Sequence, residues 1–243
     1  MRTAACTLLL LGSLAAQAAN APEEWMDPRR RFAVTLPEGW RALTPDEGRT
    51  LAASTDRRLP LEFAEPAPPH VLVFGAVDRW LASGFDGQGL VVAEQPGEPE
   101  MGPAGVAAIR AHWEGTADDQ GPRYVVEAIE LGAVGAEAHP AILARLRATD
   151  GSASWLRFDA YVPTAGDTLI FGLRWPAPVS REDAAAGNAA AEGAAAWARL
   201  AATIKISRAA RGNAELGGRL LWAVLLGLGV GLILHTVRKR QRK

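Results

Sequence analysis

Cysteine is all but missing from this chain: Cys6 is the single thiol. Disulfides, thiolate metal sites and cysteine nucleophiles are therefore excluded from any domain that follows it. Lysine is nearly as scarce, with three residues against 23 arginines. That bias is typical of GC-rich bacterial genomes and says little about chemistry. The signatures of common catalysts are missing too. There is no HExxH, Walker loop, GxSxG elbow or zinc-ligand spacing. The glycines at 227, 229 and 231 follow no strand and form no dinucleotide loop. No catalytic residue, metal or cofactor is expected.

Acidic residues are absent before Ala19 and after Gly218, and both ends carry a recognisable pattern. Arg2, an apolar stretch from Ala4 to Leu14 and the small residues Ala16-Gln17-Ala18 make a secretory signal, expected to be cleaved after Ala18. Leu220 to Leu234 is an uninterrupted apolar run, extended to Val237, and five cations follow it from Arg238 to Lys243. As a helix, 18 residues span roughly 27 Å, enough to cross a bilayer with little tilt. The cations place that end in the cytoplasm under the positive-inside rule. The expected organisation is a signal peptide at 1–18, a periplasmic domain at 19–206 and a tether at 207–219. A transmembrane helix at 220–237 and a basic tail at 238–243 complete it. Ala223, Gly227 and Gly231 recur every four residues, the spacing of a helix–helix contact. Gly217-Gly218 ahead of the run leaves proteolytic processing as an alternative.

Setting aside Arg2, Arg219 and the five cations of the tail leaves 19 basic against 27 acidic residues, a formal charge of −8. An acidic domain excludes nucleic acid as the expected partner. The expected partners are the lipid bilayer and a protein of the cell envelope. The address is the periplasmic face of a bacterial inner membrane.

Between the ends, Arg31 to Leu36 alternates like a half-buried strand. Thr44-Pro45-Asp46-Glu47 has capping-box spacing, with a short helix expected to about Ser54. Strands are expected at His70–Val77, Gly89–Glu94, Val106–Trp113, Tyr124–Leu131, Ala141–Ala148, Trp155–Val162 and Thr168–Trp175. The last three form an antiparallel meander with one face on a core. Ser180 opens an alanine-rich helix to about Ala202, and Ile204-Lys205-Ile206 closes the domain as a strand. The fold class is α+β: an antiparallel β-sheet with an early short helix and a late Ala-rich helix packed on it, plus one C-terminal transmembrane helix.

Two segments carry a resemblance. Arg31-Phe32-Ala33-Val34-Thr35-Leu36-Pro37-Glu38-Gly39-Trp40, and the strand Asp167 to Trp175 followed by a helix and Ile204-Lys205-Ile206, together resemble the PsbP-like and DcrB-like exported α+β domains. They span about 60 of 243 residues. The resemblance implies an assembly factor or accessory subunit. That group shares no catalytic site, so no functional residue carries over.

The candidate binding surface is Arg145, Arg147, Arg157 and Arg174 with Trp155 and Tyr161. If the last strands pair in order, these would share the outer sheet face, an arginine–aromatic mixture favoured at interfaces. An ordinary solvated face, with the arginines paired to Asp159 and Glu127, is the plain alternative. The expected function is a membrane-anchored, extracytoplasmic binding or assembly module without catalysis. The competing reading is a hydrolase or metal-dependent enzyme centred on His112, set at a strand end, with Glu114 and Asp118-Asp119 nearby.

Overall fold

Alternation over 142–148, 156–162 and 169–175 demands neighbouring strands, and a computed structural model supplies them. The structure describes residues 23–54, 59–115, 122–150, 153–178 and 184–207. Along the chain, β1 (Glu24–Met26), β2 (Phe32–Thr35) and β3 (Arg41–Ala42) lead into helices α1 (Pro45–Ser54) and α2 (Leu61–Ala64). Next come β4 (Val71–Gly75), α3 (Val77–Ser83), β5 (Gly89–Pro96) and α4 (Pro103–Gly115). The four long strands β6 (Arg123–Val134), β7 (His139–Asp150), β8 (Ala153–Pro163) and β9 (Asp167–Pro176) follow. Helix α5 (Ala184–Thr203) and β10 (Lys205–Ile206) complete the described chain.

The strands form two sheets. A seven-stranded sheet runs β3-β4-β5-β9-β8-β7-β6, and a three-stranded sheet runs β1-β2-β10. Every pairing is antiparallel, and β6 to β9 form the expected meander. The chain passes from β5 through α4 to β6, from the middle of the large sheet to its edge.

Both faces of the large sheet carry buried core residues, and its edge strand β6 is the most exposed. On one, Leu90, Val92, Ala160, Val162, Leu169 and Phe171 pack against Phe32, Val34 and Ile206 of the small sheet. Leu156, Phe158 and Leu173 continue that face under Trp197 and Ala194 of α5. On the other, Val73 joins Leu51, Phe63 and Trp80 beneath α1, α2 and α3. Farther along, Ile142, Ala144 and Leu146 meet Val106, Ile109 and Trp113 of α4. The molecule thus has three layers: helices, the large sheet, then α5 with the small sheet.

The expected single sheet with two helices is corrected on three points. There are two sheets with ten strands, and five helices are described. Val106–Trp113, expected as a strand, lies inside α4. Pro103 occupies its first turn, where the missing N–H costs nothing, and Ala104, Ala107, Ala108 and Ala111 favour helix over strand. Val106, Ile109 and Trp113 then recur on one side at helical spacing. Two further helices, α2 and α3, fall where no helix was expected, α3 beginning at Val77, the expected end of a strand. The transmembrane component of the fold is not supported: among the described residues no helix is long and apolar enough to cross a membrane. Residues 1–18 and 220–237, including Ala223, Gly227 and Gly231, lie outside the described residues.

The capping box is as expected. The Thr44 N–H donates to Glu47 Oε2 at 2.9 Å, and the Glu47 N–H donates to Thr44 Oγ1 at 3.3 Å. Arg41 on β3 donates to Glu47 at 2.7 Å and to Asp78 of α3 at 2.7 Å, tying three elements together. Hydrogen bonding from Arg41, against some cost of burial, holds the Glu47 carboxyl down at about 2.

Two measurements check this architecture. The lowered Glu47 value means that its ionised form stabilises the fold above its ordinary value of 4.5. That contribution is lost as pH falls from there towards about 2. Urea denaturation across that range should show a loss of stability that E47Q reduces; an unchanged profile would contradict the bridge. The second concerns two helical glycines. A Cβ on Gly105 would lie 1.8 Å from the Glu100 carbonyl oxygen, whereas one on Gly187 meets nothing within 4 Å. G187A should stabilise by about 1 kcal/mol and G105A should destabilise by about 1–3 kcal/mol. Equal signs in thermal denaturation would contradict the placement of α4.

Candidate functional site

Register, not composition, decides which side chains meet. In the β7–β8 pair Leu146 stands opposite Arg157, and in the β8–β9 pair Arg157 stands opposite Arg174. Arg157, Arg174, Trp155 and Tyr161 therefore share the helix-covered face of the sheet. Arg145 and Arg147 flank Leu146 along β7 and belong to the other face. The six residues expected on one surface are split between two.

Arg145 and Arg147 form a separate clamp. Their Nε atoms lie 3.1 and 3.2 Å from the two oxygens of Glu127. Glu127 sits where the β6–β7 register shifts, and an extra residue in a strand re-aims its side chain. Arg147 is itself buried, at 7% exposure. This grouping reads as a structural ion pair.

The other group is more unusual. Arg157 Nε donates to both oxygens of Asp159 at 2.8 and 3.0 Å, and its Nη1 lies 4.0 Å from Glu62 on α2. Asp159 is fully buried. Gly172 on β9 leaves it room, because a Cβ there would come within 2.7 Å of Asp159 Oδ1. Burial pushes the Asp159 carboxyl above its usual range, against the pull of Arg157. For Arg157 burial opposes the charge, but attraction to Asp159 prevails and raises its value. Tyr161 lies over the same carboxylate: its hydroxyl is 3.4 Å from Asp159 Oδ2 and accepts from Trp113 Nε1 at 2.8 Å. Burial also pushes the Tyr161 phenol upward. Trp113 of α4 places its ring 4.9 Å from the Arg157 guanidinium. A chain of contacts thus runs from α4 through Tyr161 to Asp159 and Arg157.

Arg174 is held differently. Its guanidinium lies 3.7 Å from the centroid of Trp155 and 5.7 Å from that of Phe85. Among the described residues its buried Nε finds no hydrogen-bond partner. Burial lowers its value to about 10, so it stays cationic at neutral pH.

Between α4 and strands β5, β8 and β9 lies a cavity of about 520 Å3. Ala108, Ile109 and Ile170 supply apolar wall; Trp113, Tyr161 and Arg157 supply the polar end. Glu98 and Glu100 lie in its rim, and Glu98 Oε1 accepts from the Gly166 N–H at 2.7 Å. His112 also lines the cavity, from an exposed position on α4 and not from a strand end. Glu114 lies 3.6 Å from Arg110 on the same helix. Asp118 and Asp119 lie outside the described residues. Among the described residues no group of three His, Cys, Asp or Glu side chains could hold a metal ion.

Sequence reasoning named four of the residues that converge here, and Asp159 and Glu127 as arginine partners; it missed Trp113, Glu62, the burial of Asp159, and Tyr124, whose ring centroid lies 4.7 Å from that of Trp113. The signal for Trp113 was present in the helical spacing of Val106, Ile109 and Trp113. Nothing local pointed to Glu62.

No protein-family model and no curated protein matches the chain. Among solved structures, a crystal structure from Bacteroides thetaiotaomicron VPI-5482 at 1.50 Å resolution is similar to it at 9% identity, with a TM-score of 0.40. The match covers 76% of this chain and 48% of the other, so the chain spans about half of that protein's length.

The network has a checkable energetic consequence. Removing one partner of a buried ion pair leaves an uncompensated charge and costs about 3–5 kcal/mol, whereas replacing both by apolar groups is often near neutral. D159N should destabilise strongly in chemical denaturation, and adding R157M to D159L should recover stability relative to D159L alone. Strictly additive losses would show that Arg157 and Asp159 do not depend on each other.

Proposed function

We propose that this chain is an extracytoplasmic binding or accessory module that takes a small ligand between α4 and the large sheet and performs no chemistry on it. The observation carrying this reading is the cavity of about 520 Å3, with apolar walls and a polar end. Its volume lies within the roughly 300–1,000 Å3 range of small-molecule sites, and a few placed polar groups on apolar walls are their usual composition. The polar end is held in place before any ligand arrives. Trp113, Tyr161, Asp159 and Arg157 already restrain one another, and a pre-ordered site loses less entropy on binding. Tyr161 and Asp159 are committed to this network and buried, which suits recognition better than proton transfer.

The cellular address rests on the N-terminal sequence, read as an export signal. The acidic character of residues 19–218 favours a partner in the envelope over nucleic acid. The resemblance to exported accessory domains points the same way.

Ala108 offers the most direct test, because it lines the cavity and is exposed. A benzophenone photocrosslinker at 108, irradiated in intact cells, should yield a discrete adduct seen by mass spectrometry of the purified chain. The same group at Leu81, exposed on α3, should not. Identical products from both positions, or none from 108, would contradict the cavity as the site. Turnover of the captured molecule by purified protein would contradict the non-catalytic reading.

A further inference from the structure

We infer that Arg157 sets the specificity of the cavity, and that the ligand offers it an uncharged acceptor, a carbonyl oxygen on an apolar body. This rests on the binding reading above and adds a chemical class to it.

Arg157 lines the cavity, and its side chain keeps 22% of its surface. Asp159 occupies one of its nitrogens: both carboxylate oxygens accept from Nε, at 2.8 and 3.0 Å. Glu62 stands 4.0 Å from Nη1, too far for a hydrogen bond. Among the described residues nothing accepts a hydrogen bond from Nη1 or Nη2, and neither is one of the buried atoms left without a partner. The fork therefore reaches the cavity with its terminal donors unused. The Trp113 ring lies 4.9 Å over the guanidinium, so those donors act at its edge.

Charge then selects the ligand. Asp159, fully buried, already matches the Arg157 charge, and Glu62 adds a second carboxylate. Glu98 and Glu100 place two more in the cavity wall. An entering anion passes these two and then shares Arg157 with Asp159 and Glu62, and like charges repel at such range. A cation meets the opposite obstacle, because the polar end offers donors. The Tyr161 hydroxyl is committed to the Trp113 indole at 2.8 Å, and the Thr168 hydroxyl donates to the Gly97 carbonyl at 2.6 Å. Donors whose charge is already matched suit a neutral carbonyl oxygen, which brings two lone pairs. Ala108, Ile109 and Ile170 receive the apolar body.

Benzamide, benzoate and benzamidine are alike in shape and are neutral, anionic and cationic at neutral pH. Each is titrated into the full chain at constant ionic strength while the arginine Nε–H and indole N–H signals are followed by 15N NMR. Benzamide should bind saturably, move the Arg157 and Trp113 signals most, and bind at least tenfold more tightly than either ion. R157K should weaken it at least tenfold, because lysine keeps the charge opposite Asp159 but not the fork. The R157M/D159L pair leaves no charge unmatched; it should show the same loss and serves where R157K does not fold. A108W, which fills the cavity, should abolish binding, and R145Q, on the opposite face, should leave it unchanged. E62Q should narrow the gap between benzoate and benzamide. No saturation by benzamide, wild-type affinity in both fork-less variants, or undiminished binding in A108W would overturn the inference. Tighter binding of benzoate or benzamidine than of benzamide would overturn the assignment to an uncharged acceptor. Failure here with the Ala108 photo-adduct retained would count against this inference alone. Retained benzamide binding without the adduct would count against the binding reading alone.

Discussion

The pairing of Leu146 with Arg157 is the constraint on which the site depends. It places the apolar residues of β7 and the charged residues of β8 on the same face. That arrangement is stable only if the face is covered, because Leu146 and Asp159 are both fully buried. Helix α4 covers it with Val106, Ile109 and Trp113. The opposite face must then be covered as well, since Leu156, Ala160, Val162 and Phe171 lie there. Three layers follow from one register. The hairpin fixes it: Asp150 pairs with Ala153, leaving two residues between the strands.

Burial on both sides also explains the electrostatics. A charge taken into a covered face must be paired or bear the loss of hydration. Arg157 and Asp159 satisfy that demand together, with Tyr161 and Trp113 filling remaining hydrogen-bond positions. Arg174 meets it mainly through aromatic rings. The asymmetry between these two neighbouring arginines is the most informative chemical feature of the described residues. It separates an arginine held by a buried carboxylate from one held by aromatic rings.

Much of the architecture was legible in the sequence. The strands from 124 to 175, the capping box at Thr44 and Glu47, and the helix ending near Ala202 were all signalled by local periodicity and turn residues. Helix α4 was misread because Val106 to Trp113 is short and apolar, and an alternating pattern can be found in it as easily as a helical one. The alanines were the better guide. The split among the arginines was not legible, because alternation within a strand says nothing about which face of its neighbour it joins. Reading each strand's apolar residues as one core was the natural assumption, and a sheet buried on both sides defeats it. Glu62 and Arg174 are brought together by tertiary structure, across 112 residues of chain, and no local signal anticipates that.

Nuclear Overhauser contacts of the Trp113 indole test the central claim most directly. With α4 lying on the sheet, the indole N–H should show contacts to the Tyr161 ring, and residues 106–113 should show the sequential amide contacts of a helix. Strand-type contacts over 106–113, or an indole with no contact to Tyr161, would contradict it.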